Sequence, residues 1–551
     1  MQLQLPRSIS LSWFTLLSAT WLVSVYNIPF WNTVIDARNI LFINDLPFIL
    51  STFSVLVLIF NSLLALLTFP RIAKPVVIAL ILFSAIATSF ALRLGIMIDK
   101  SMIQNVFETD LAEATSLVNP SLLLDFLLLG LLPAAIISRA RIRCGTPGRE
   151  LRTKSAVIVS GIALSILLVW VFSAEYASIL RNHRELRFML TPTNMINSTY
   201  GYLSQRYRKS RQIETASDVR RILSPSVNAN PSLLVLVIGE TARASDFSLN
   251  GHDRLTNPLL STKDILYFSN AQACGTATAV SLPCMFSDLG EAGYSLEKAR
   301  SRENLIDVLI RAGLDVIWLD NNSGCKGICT RASYESLASR NDSSLCNDNN
   351  CLDEIFVKAL QDRLLDLKKD TVLVMHMKGS HGPAYFRRYP QRFEAFKPAC
   401  KSVDLSSCNP ETIHNAYDNT ILYTDFVLFS VIEVLGKNLQ HISSALFYVS
   451  DHGESLGENG LYLHGMPKFI APRTQIDIPI IAWLSDEFSA RTGINKDCIN
   501  DQRQQPYSHD YVFHTILGIW NIKTSWYKSS LDMFRCRAFN LAGDRFNRRL
   551  L

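Results

Sequence analysis

The sequence lacks the features of a nucleic-acid-binding protein. Its 551 residues carry a net charge of only +6 and contain no known nucleic-acid-binding motif. We therefore expect no nucleic-acid partner. The eleven cysteines include no CxxC pair and one CxxxC pair. This spacing argues against a zinc ribbon, which nevertheless stays the competing interpretation of these cysteines.

Hydrophobic residues, by contrast, are abundant and unevenly distributed. They make up 48% of the chain, and nearly all of the excess lies before about Ala174. The remainder has the composition of an ordinary globular sequence, and 551 residues exceed what one compact domain usually holds. The chain is therefore expected to comprise a membrane domain at 1–174, a linker at 175–230 and a globular domain at 231–551.

Five segments of the first part are long and apolar enough to cross a bilayer, whose core requires about 20 helical residues. The first segment has no small-residue cleavage site and is followed by four more, so we interpret it as a helix and not as a signal peptide. The five predicted spans are 9–26, 47–69, 75–97, 121–138 and 155–174.

The distribution of basic residues predicts how these spans are oriented. Arg71 and Lys74 lie between the second and third spans, and six basic residues lie in the loop at 139–154. Both loops are expected on the cytoplasmic side, because loops rich in Lys and Arg stay there. Five spans that start inside then place everything after Ala174 outside.

The cysteines agree with this orientation. Only Cys144 falls in a predicted cytoplasmic loop, whereas ten cysteines follow Ala174. An even number of cysteines in an outward-facing domain indicates disulfides. The neighbours along the chain suggest the pairs Cys274–Cys284, Cys325–Cys329, Cys346–Cys351 and Cys400–Cys408, which leaves Cys498 and Cys536.

Two further features of residues 1–230 allow two interpretations each. Asp125 lies inside the fourth predicted span, where a carboxylate is either functional or near enough to the outer end to reach the interface. The linker mixes arginines with Leu, Phe and Tyr. It is either an amphipathic helix on the outer membrane surface followed by a tether, or a solvated connector.

After Pro231, short apolar runs alternate with helical patterns. The predicted strands are 233–238, 316–319, 371–376, 445–449 and 478–483, and the predicted helices are 303–312, 351–368, 413–436 and 511–520. Such alternation is typical of an α/β sheet with helices on both faces. Ligands of these folds bind at the carboxyl ends of the strands.

Three of the predicted strands end in residues that bind metals. The first strand leads to Glu240, the third to His376 and His381, and the fourth to Asp451, His452 and Glu454, with His464 shortly after. A single His or Asp at a strand end is more often structural. Together, carboxylates and imidazoles at successive strand ends favour a zinc site.

A hydroxyl nucleophile is expected beside this metal. The segment CGTATAVS at 274–281 is rich in small residues and hydroxyls and leads into a predicted helix. A hydroxyl at the start of a helix and near a metal is activated for attack. The residues alone leave Thr276, Thr278 and Ser281 as equal candidates, since helix capping would explain any of them.

Several long motifs then carry a resemblance. They are VIGETAR at 237–243, CGTATAVSLPCMFS at 274–287, DNNSGCKGIC at 320–329, HMKGSHGPAY at 376–385 and SDHGESLGENGLYLHGMP at 450–467. In this order they resemble the lipid A phosphoethanolamine transferases, which include the mobile colistin-resistance enzymes and belong to the alkaline phosphatase and sulfatase superfamily. The resemblance covers essentially the whole chain. One departure is Ala277, where relatives often carry Ser.

The resemblance assigns expected roles to individual residues. It selects Thr278 as the nucleophile and implies one tightly held zinc on Glu240, Thr278, Asp451 and His452. His381 and His464 match residues that bind a second zinc or the phosphoryl group, and either could protonate the leaving group. The remaining matches concern substrate: Lys326, Glu454 and His376 near the headgroup, and Asn105, Thr109 and Glu113 of the membrane domain near the lipid. The spacing of this last trio also fits one face of a solvated helix.

The resemblance implies an α-helical membrane domain with five spans and a C-terminal alkaline-phosphatase/sulfatase-like α/β domain. It further implies transfer of phosphoethanolamine from phosphatidylethanolamine to a lipid A phosphate through a phosphothreonine, with polymyxin resistance as the consequence. The alternatives are the same chemistry on core sugar, Kdo or another glycan, phosphoglycerol transfer, and a catalytically inactive envelope-binding protein. Nothing in this scheme requires a second copy of the chain, so we expect a monomer.

Overall fold

The computed structural model describes residues 8–37, 45–108, 114, 117–183, 186–206, 213–222, 230–340, 342–347, 350–364 and 366–536. The chain forms two compact units. The helical unit comprises Met1–Ile103 and Val118–Tyr202, and the sheet unit comprises Gln104–Leu117 and Leu203–Leu551. The division falls inside two helices, Lys100–Glu108 and Thr193–Arg206.

Twelve helices make up or border the described part of the helical unit. The long ones consist mainly of Leu, Ile, Val and Ala. Within a helix the backbone N–H and C=O groups bond to each other, as the interior of a membrane requires. The bounds of the twelve helices are Leu11–Val25, Ile28–Ala37, Leu46–Leu67, Ala73–Leu94, Lys100–Glu108, Pro120–Asp125, Phe126–Leu131, Leu132–Arg139, Pro147–Val171, Ser173–Asn182, Leu186–Met189 and Thr193–Arg206. The short strands Ile9–Ser10 and Ile142–Arg143 pair with each other.

Four segments of this unit are long and apolar enough to span a membrane as predicted: Leu46–Leu67, Ala73–Leu94, Pro120–Arg139 and Pro147–Val171. The first predicted span is different, because the helix Leu11–Val25 bends by 56° into the segment Ile28–Asp36. The pair qualifies as a span only when the two helices are taken together.

The fifth span begins earlier than predicted. Its helix starts at Pro147, so Arg149, Arg152 and Lys154 lie on the first turns of the helix and not in a loop. Proline is favoured at the first helical position, where its missing N–H is not needed. The apolar run alone marked only the part of the helix that is able to cross the bilayer.

Asp125 forms an ion pair within the helical unit. The Arg93 guanidinium donates to both carboxylate oxygens, at 2.6 and 2.9 Å, and the Ser89 hydroxyl donates at 2.5 Å. Charged side chains in apolar helices usually find such partners. The pair gives Asp125 a structural partner within the helical unit.

The first part of the predicted linker packs within the helical unit. Ile179 and Leu186 are buried in a cluster with Phe30, Val34 and Phe48. The side chain of Asn27 also exchanges two hydrogen bonds with the backbone of Thr191, at 2.8 and 2.9 Å. These contacts explain why residues up to Tyr202 belong to this unit.

An eight-stranded sheet forms the centre of the sheet unit. In chain order its strands are β1 (Ser232–Gly239), β2 (Leu266–Gln272), β3 (Asp315–Asp320), β4 (Ser333–Ser336), β5 (Thr371–His376), β6 (Ser443–Ser450), β7 (Asp477–Leu484) and β8 (Tyr507–Ser508). Their spatial order is β8-β2-β7-β6-β1-β5-β3-β4. Only β7 runs antiparallel to its neighbours β6 and β2. All residues of β1, β5 and β6 are buried, as expected for central parallel strands.

The remaining helices of the sheet unit cover this sheet. They are Thr278–Met285, Gly290–Gly293, Leu296–Arg300, Leu305–Arg311, Ile355–Leu364, Pro410–Lys437, Arg473–Ile476, Asp486–Thr492, Lys496–Asn500 and Asp510–Ile519. Two short hairpins pair Ser455–Leu456 with Tyr462–Leu463 and Cys346–Asn347 with Asn350–Cys351, and a separate antiparallel pair joins Arg220–Arg221 to Ile522–Lys523. All five predicted strands and all four predicted helices are present within a few residues of their expected bounds.

The helix Pro410–Lys437 also has the length and mean hydropathy of a membrane span. It lies in the sheet unit, however, and buries polar residues such as Asn415, Asp418 and Asp425 together with its apolar ones. A helix that is buried on most sides is apolar for the same reason that a spanning helix is. We interpret it as a core helix of the globular unit.

Ten cysteines form five disulfides in the sheet unit: Cys274–Cys284, Cys325–Cys329, Cys346–Cys351, Cys400–Cys408 and Cys498–Cys536. These are the pairs that the spacing suggested, and they leave no cysteines for a zinc ribbon. Cys144 is free and exposed.

Candidate active site

Two adjacent parallel strands bring the predicted metal ligands together. Gly239 at the end of β1 is paired with Ser450 at the end of β6. The chain therefore delivers Glu240 from one strand and Asp451 and His452 from the other to the same edge of the sheet. Each of these three side chains offers a ligand atom within 4.8 Å of the other two, and all three residues are buried.

Thr278 lies against this cluster. Its Oγ1 is 3.1 and 3.2 Å from the two carboxylate oxygens of Glu240 and 3.4 Å from Nε2 of His452. Thr278 is the first residue of its helix, which places the hydroxyl at the positive end of the helix. The Cys274–Cys284 disulfide encloses the segment that presents it.

The structure separates the three candidate hydroxyls. The Thr276 hydroxyl donates to the carbonyl of Met466 at 2.5 Å, and the Ser281 hydroxyl accepts from the backbone N–H of Gly275 at 3.1 Å. Both therefore hold the local backbone in place. Of the three, Thr278 is the one whose hydroxyl contacts the carboxylate and imidazole cluster.

The ring of His452 is oriented as a metal ligand. Its Nδ1 lies 2.8 Å from the carbonyl of Gly453, so Nδ1 carries the proton and donates it there. The lone pair on Nε2 then faces Oε1 of Glu240 at 3.5 Å and Oδ2 of Asp451 at 3.3 Å. A backbone acceptor that fixes the tautomer in this way is typical of metal-binding histidines.

The electrostatics of the cluster fit a divalent cation. Burial, together with the neighbouring Asp451 carboxylate, raises the pKa of Glu240 to about 7, and burial raises the pKa of Asp451 to about 6. Burial and the neighbouring His464 lower the pKa of His452. Oδ2 of Asp451 is buried without a hydrogen-bond partner in the described part of the chain. Carboxylate and imidazole atoms in this arrangement are a suitable donor set for zinc.

Two more predicted histidines lie next to the cluster. The ring of His464 is 4.4 Å from that of His452 and 5.5 Å from that of His381. Nδ1 of His464 is 3.2 Å from Oε1 of the buried Glu454. Burial opposes protonation of His464, but the carboxylates around it, Glu454 above all, outweigh burial and raise its pKa to about 9. His464 is thus a cation at neutral pH.

His376 is placed beneath the site and does not contact Thr278. It is fully buried, its Nδ1 lies 2.8 Å from Oδ1 of Asp320, and its Nε2 lies 3.3 Å from Nδ2 of Asn322. The same Asn322 amide donates to Oε2 of Glu240 at 2.7 Å. His376 is therefore linked to Glu240 through the Asn322 amide.

The predicted lipid-facing residues are described in part. Lys326 donates to the carbonyl and hydroxyl of Ser323, at 3.1 and 2.9 Å, and to the carbonyl of Glu108 at 3.2 Å. Asn105 is partly buried on the helix Lys100–Glu108. Thr109 and Glu113 lie outside the described residues.

No sequence pattern indicated a role for three residues that hold the site in place. Asn322 contacts Glu240, as described above. Gln104 donates to the carbonyl of Ala279, directly after Thr278, at 2.9 Å. His509 accepts from the N–H of Cys274 at Nδ1, at 3.1 Å, and donates from Nε2 to the carbonyl of Ser450, at 2.9 Å.

A second group of metal-binding side chains, Asp246, His252 and Asp418, lies elsewhere in the sheet unit. Arg243 pairs with Asp246 at 2.8 Å, and Arg254 donates to Asp418 at 2.9 Å. The two arginines neutralise the two carboxylates, so a cation would gain little there. We assign no metal to this group.

The chain matches two protein families along most of its length. Residues 56–207 match the family described as phosphoethanolamine transferase EptA/EptB, and residues 232–522 match the sulfatase family. The chain is 37% identical over 539 residues to the phosphoethanolamine transferase EptA of Escherichia coli K12, which covers 97% of this chain and 98% of that protein. The chain belongs to the phosphoethanolamine transferase family.

Two further relatives agree with this membership. The phosphatidylethanolamine transferase Mcr-1 of Escherichia coli is 34% identical over 520 residues, which cover 92% of this chain and 94% of that protein. The integral membrane lipooligosaccharide phosphoethanolamine transferase A of Neisseria meningitidis has a TM-score of 0.93 at 32% identity, over 97% of this chain and 100% of that one. This phosphoethanolamine transferase is thus a multi-pass membrane protein with a C-terminal sulfatase-like α/β domain, which confirms the predicted fold and family.

Proposed function

We propose that the protein transfers phosphoethanolamine from phosphatidylethanolamine to a phosphate of lipid A, through a covalent phosphothreonine on Thr278. The observation that carries this proposal is the position of the Thr278 hydroxyl, within 3.4 Å of Glu240 and His452 at the start of a helix. Family membership supports the transferred group, and the names of the relatives support a lipid A or lipooligosaccharide acceptor.

Glu240, Thr278, Asp451 and His452 would hold one zinc ion. Bound zinc supplies Lewis acidity, which lowers the pKa of a coordinated hydroxyl enough for attack at neutral pH. The remaining chemistry belongs to side chains of this chain. Asn322 fixes the Glu240 carboxylate, and the carbonyl of Gly453 fixes the His452 ring.

The reaction comprises two displacements at phosphorus. In the first, Thr278 Oγ1 gives up its proton to solvent and attacks the phosphodiester, the bond from phosphorus to the glycerol oxygen breaks, and diacylglycerol leaves. His464 is protonated at neutral pH, donates a proton to the departing oxygen and regains one from solvent. In the second, a phosphate oxygen of lipid A attacks the phosphothreonine, the bond from phosphorus to Thr278 breaks, and Thr278 Oγ1 takes a proton from solvent. One site performs both steps, so ping-pong kinetics are expected.

Cationic and acidic side chains around the cluster suit the two ends of the headgroup. Lys326 and His381 would bind the phosphoryl oxygens, with His381 and His464 also able to hold a second zinc. Glu454 is buried with one carboxylate oxygen lacking a hydrogen-bond partner among the described residues, and it would accept the ethanolamine ammonium. Asn105, Thr109 and Glu113 are proposed to approach the lipid, and His376 supports the site through Asn322.

The proposed setting is the bacterial inner membrane, with the sheet unit in the periplasm as a monomer. Phosphatidylethanolamine and lipid A then share the leaflet that faces the site. The product adds an ammonium to an anionic lipid, so the cell surface becomes less negative and binds polymyxins less well.

Mass spectrometry of lipid A tests this proposal. A polymyxin-sensitive Gram-negative host would express the parent protein, Thr278→Ala or Thr278→Ser. We expect a phosphoethanolamine mass increment with the parent, a reduced increment with Thr278→Ser, and none with Thr278→Ala. Full modification by Thr278→Ala would rule out this nucleophile.

The same samples separate the alternative acceptors. If the parent leaves lipid A unchanged while core sugar, Kdo or another glycan gains phosphoethanolamine, the acceptor is wrong and the chemistry stands. Incubation of purified protein with phosphatidylethanolamine alone should leave one phosphoethanolamine on the peptide that contains Thr278. A parallel incubation with phosphatidylglycerol alone is the counterpart, and phosphoglycerol on this peptide in place of phosphoethanolamine would overturn the proposed donor.

A further inference from the structure

The helical unit contains an apolar groove far along the sequence from the residues of the candidate active site. Its volume is about 550 Å³, within the range of small-ligand sites. Phe14 and Ile81 form its floor and are buried, whereas Leu17, Trp21 and Ile136 form its walls and are partly exposed. The groove therefore lies between the first helix, Leu11–Val25, and the helices Ala73–Leu94 and Leu132–Arg139.

One end of this groove is positively charged. Arg139 and Arg141 line it, both are exposed, and neither guanidinium has a hydrogen bond or ion pair within the described ranges. Lys74 is close by, since its ammonium donates to the carbonyl of Ser138 at 3.0 Å. This end of the groove thus carries cationic groups that are available to an anion.

The backbone holds these arginines at the groove. The N–H of Ile9 donates to the carbonyl of Arg141 at 3.0 Å, and Ile9 and Ser10 pair with Ile142 and Arg143 as two short strands. The segment after Arg139 is therefore fixed to the start of the first helix and not left as a free loop. An apolar trough with cations fixed at one end is complementary to an amphiphile with an anionic headgroup.

We propose that this groove binds one phospholipid of net negative charge, with an acyl chain along Phe14, Trp21 and Ile136 and the phosphate at Arg139 and Arg141. The lipid is a structural or regulatory ligand and not the phosphoethanolamine donor, since the proposed donor is zwitterionic. Bound there, it would contact the helices Leu11–Val25, Ala73–Leu94 and Leu132–Arg139 together.

Fluorescence quenching of Trp21, which lines the groove, tests whether a lipid binds there. The full-length protein would be reconstituted with brominated phosphatidylglycerol or brominated phosphatidylethanolamine at equal mole fraction. The quenching of Trp21 is the difference between the parent and Trp21→Phe. We expect phosphatidylglycerol to quench Trp21 more strongly, because each arginine near an anionic lipid contributes roughly a fivefold preference.

Two double variants test whether Arg139 and Arg141 cause the preference for phosphatidylglycerol. Arg139→Gln with Arg141→Gln should abolish the preference for phosphatidylglycerol. Arg149→Gln with Arg152→Gln removes the same charge from exposed positions outside the groove and should leave the preference intact. Equal quenching by the two lipids in the parent, or an equal loss of preference in both double variants, would overturn the proposal. All these residues are exposed, so folding is not expected to suffer.

Discussion

The imidazole of His509 joins two parts of the candidate active site. One nitrogen accepts from the backbone of Cys274, where the segment that presents Thr278 begins. The other donates to the carbonyl of Ser450, directly before Asp451 and His452. The side chain of His509 can therefore set the distance between the proposed nucleophile and the proposed metal ligands. We regard His509 as a positioning residue.

His509→Ala should lower kcat for phosphoethanolamine transfer by roughly 10- to 100-fold, because a misplacement of about 1 Å has this effect on a bound reaction. KM should change little, since no substrate contact is lost. Initial rates at varied phosphatidylethanolamine concentrations measure both constants. His514→Ala is the matched control: His514 lies on the helix that follows, is also buried, and among the described residues its side chain bonds to the backbone of Lys528 alone.

Two conservative variants divide the effect of His509 between its bonds. Asn can replace Nδ1 as the acceptor for Cys274, and Gln can replace Nε2 as the donor to Ser450. Partial recovery of kcat in either variant supports the positioning role. Equal losses of kcat in the His509 and His514 variants would instead indicate general destabilisation.

Asn322 should control how tightly zinc is held. It donates to Glu240, and loss of such a contact typically reduces metal affinity about 10- to 100-fold. Competition of the purified protein with a fluorescent chelator would measure this for Asn322→Ala. The adjacent Asn321 bonds to Cys351 and Asp353 and not to Glu240, so Asn321→Ala should retain the affinity of the parent. Unchanged affinity in both variants would contradict the prediction.

At the residue scale, the sequence indicated where the candidate ligands lie better than it indicated the residues that support them. Glu240, Asp451 and His452 each follow an apolar run, so their place at the sheet edge could be inferred. The choice among Thr276, Thr278 and Ser281 could not, because it depends on bonds to Met466 and Gly275 in the fold. The contacts of Asn322 and His509 join strand ends far apart in the sequence, and no local pattern reveals them.

At the scale of elements, two buried histidines belong to the helix Asp510–Ile519 and its start. His509 directly precedes the helix, and His514 lies within it. Burial lowers the pKa of His509 and of His514 to about 4 each. Between pH 6.5 and 4 the unfolded chain binds protons at these positions that the folded chain does not. Their contribution to stability is therefore complete above about pH 6.5 and is lost as the pH falls towards 4.

His514→Gln should make the unfolding free energy less dependent on pH in this range. The difference in unfolding free energy between pH 6.5 and pH 4.5 should shrink by roughly 1 to 3 kcal/mol, given 1.36 kcal/mol per pKa unit. Thermal unfolding of parent and variant at both pH values provides the comparison. The lost bond to Lys528 lowers stability by the same amount at each pH, so parallel changes in the two proteins would refute the assignment.

The strands show which elements a sequence pattern can identify. β1, β5 and β6 are central and buried on both faces, and their continuous apolar runs predicted them. β4 and β8 were not predicted, because β4 is a polar edge strand with sequence SYES and β8 has two residues. β2 was missed since its second half, SNAQ, is polar and partly exposed. Apolar content could not by itself separate the core helix Pro410–Lys437 from a membrane span.

For the whole molecule, orientation in the membrane can be tested with its free cysteine. Cys144 is exposed in the basic loop, and the other ten cysteines form disulfides. A membrane-impermeant maleimide should therefore fail to label intact spheroplasts and should label them fully after permeabilisation. The control Cys144→Ser with Ser261→Cys moves the thiol to an exposed position of the sheet unit and should be labelled from outside. Labelling of Cys144 in intact spheroplasts would reverse the proposed orientation.

The division into a helical and a sheet unit followed from composition, but the place of the division did not. Residues after Ala174 become polar and read as a linker, yet Ile179 and Leu186 pack with the first helices. The bend after Val25 also escaped prediction, because an apolar pattern records length and not direction.

The disulfides and the sheet place opposite demands on the order of folding. Every disulfide joins two cysteines that have no other cysteine between them. By contrast, Ser232 at the start of β1 pairs with Ser443 of β6, which is synthesised much later. Short loops close rapidly, and strand pairing across long sequence separations is slow. A chain that emerges N-terminus first into an oxidising compartment can thus close Cys274–Cys284 while Asp451 and His452 are still being synthesised. The loop around Thr278 is then shaped early, and the late half of the active site assembles onto it.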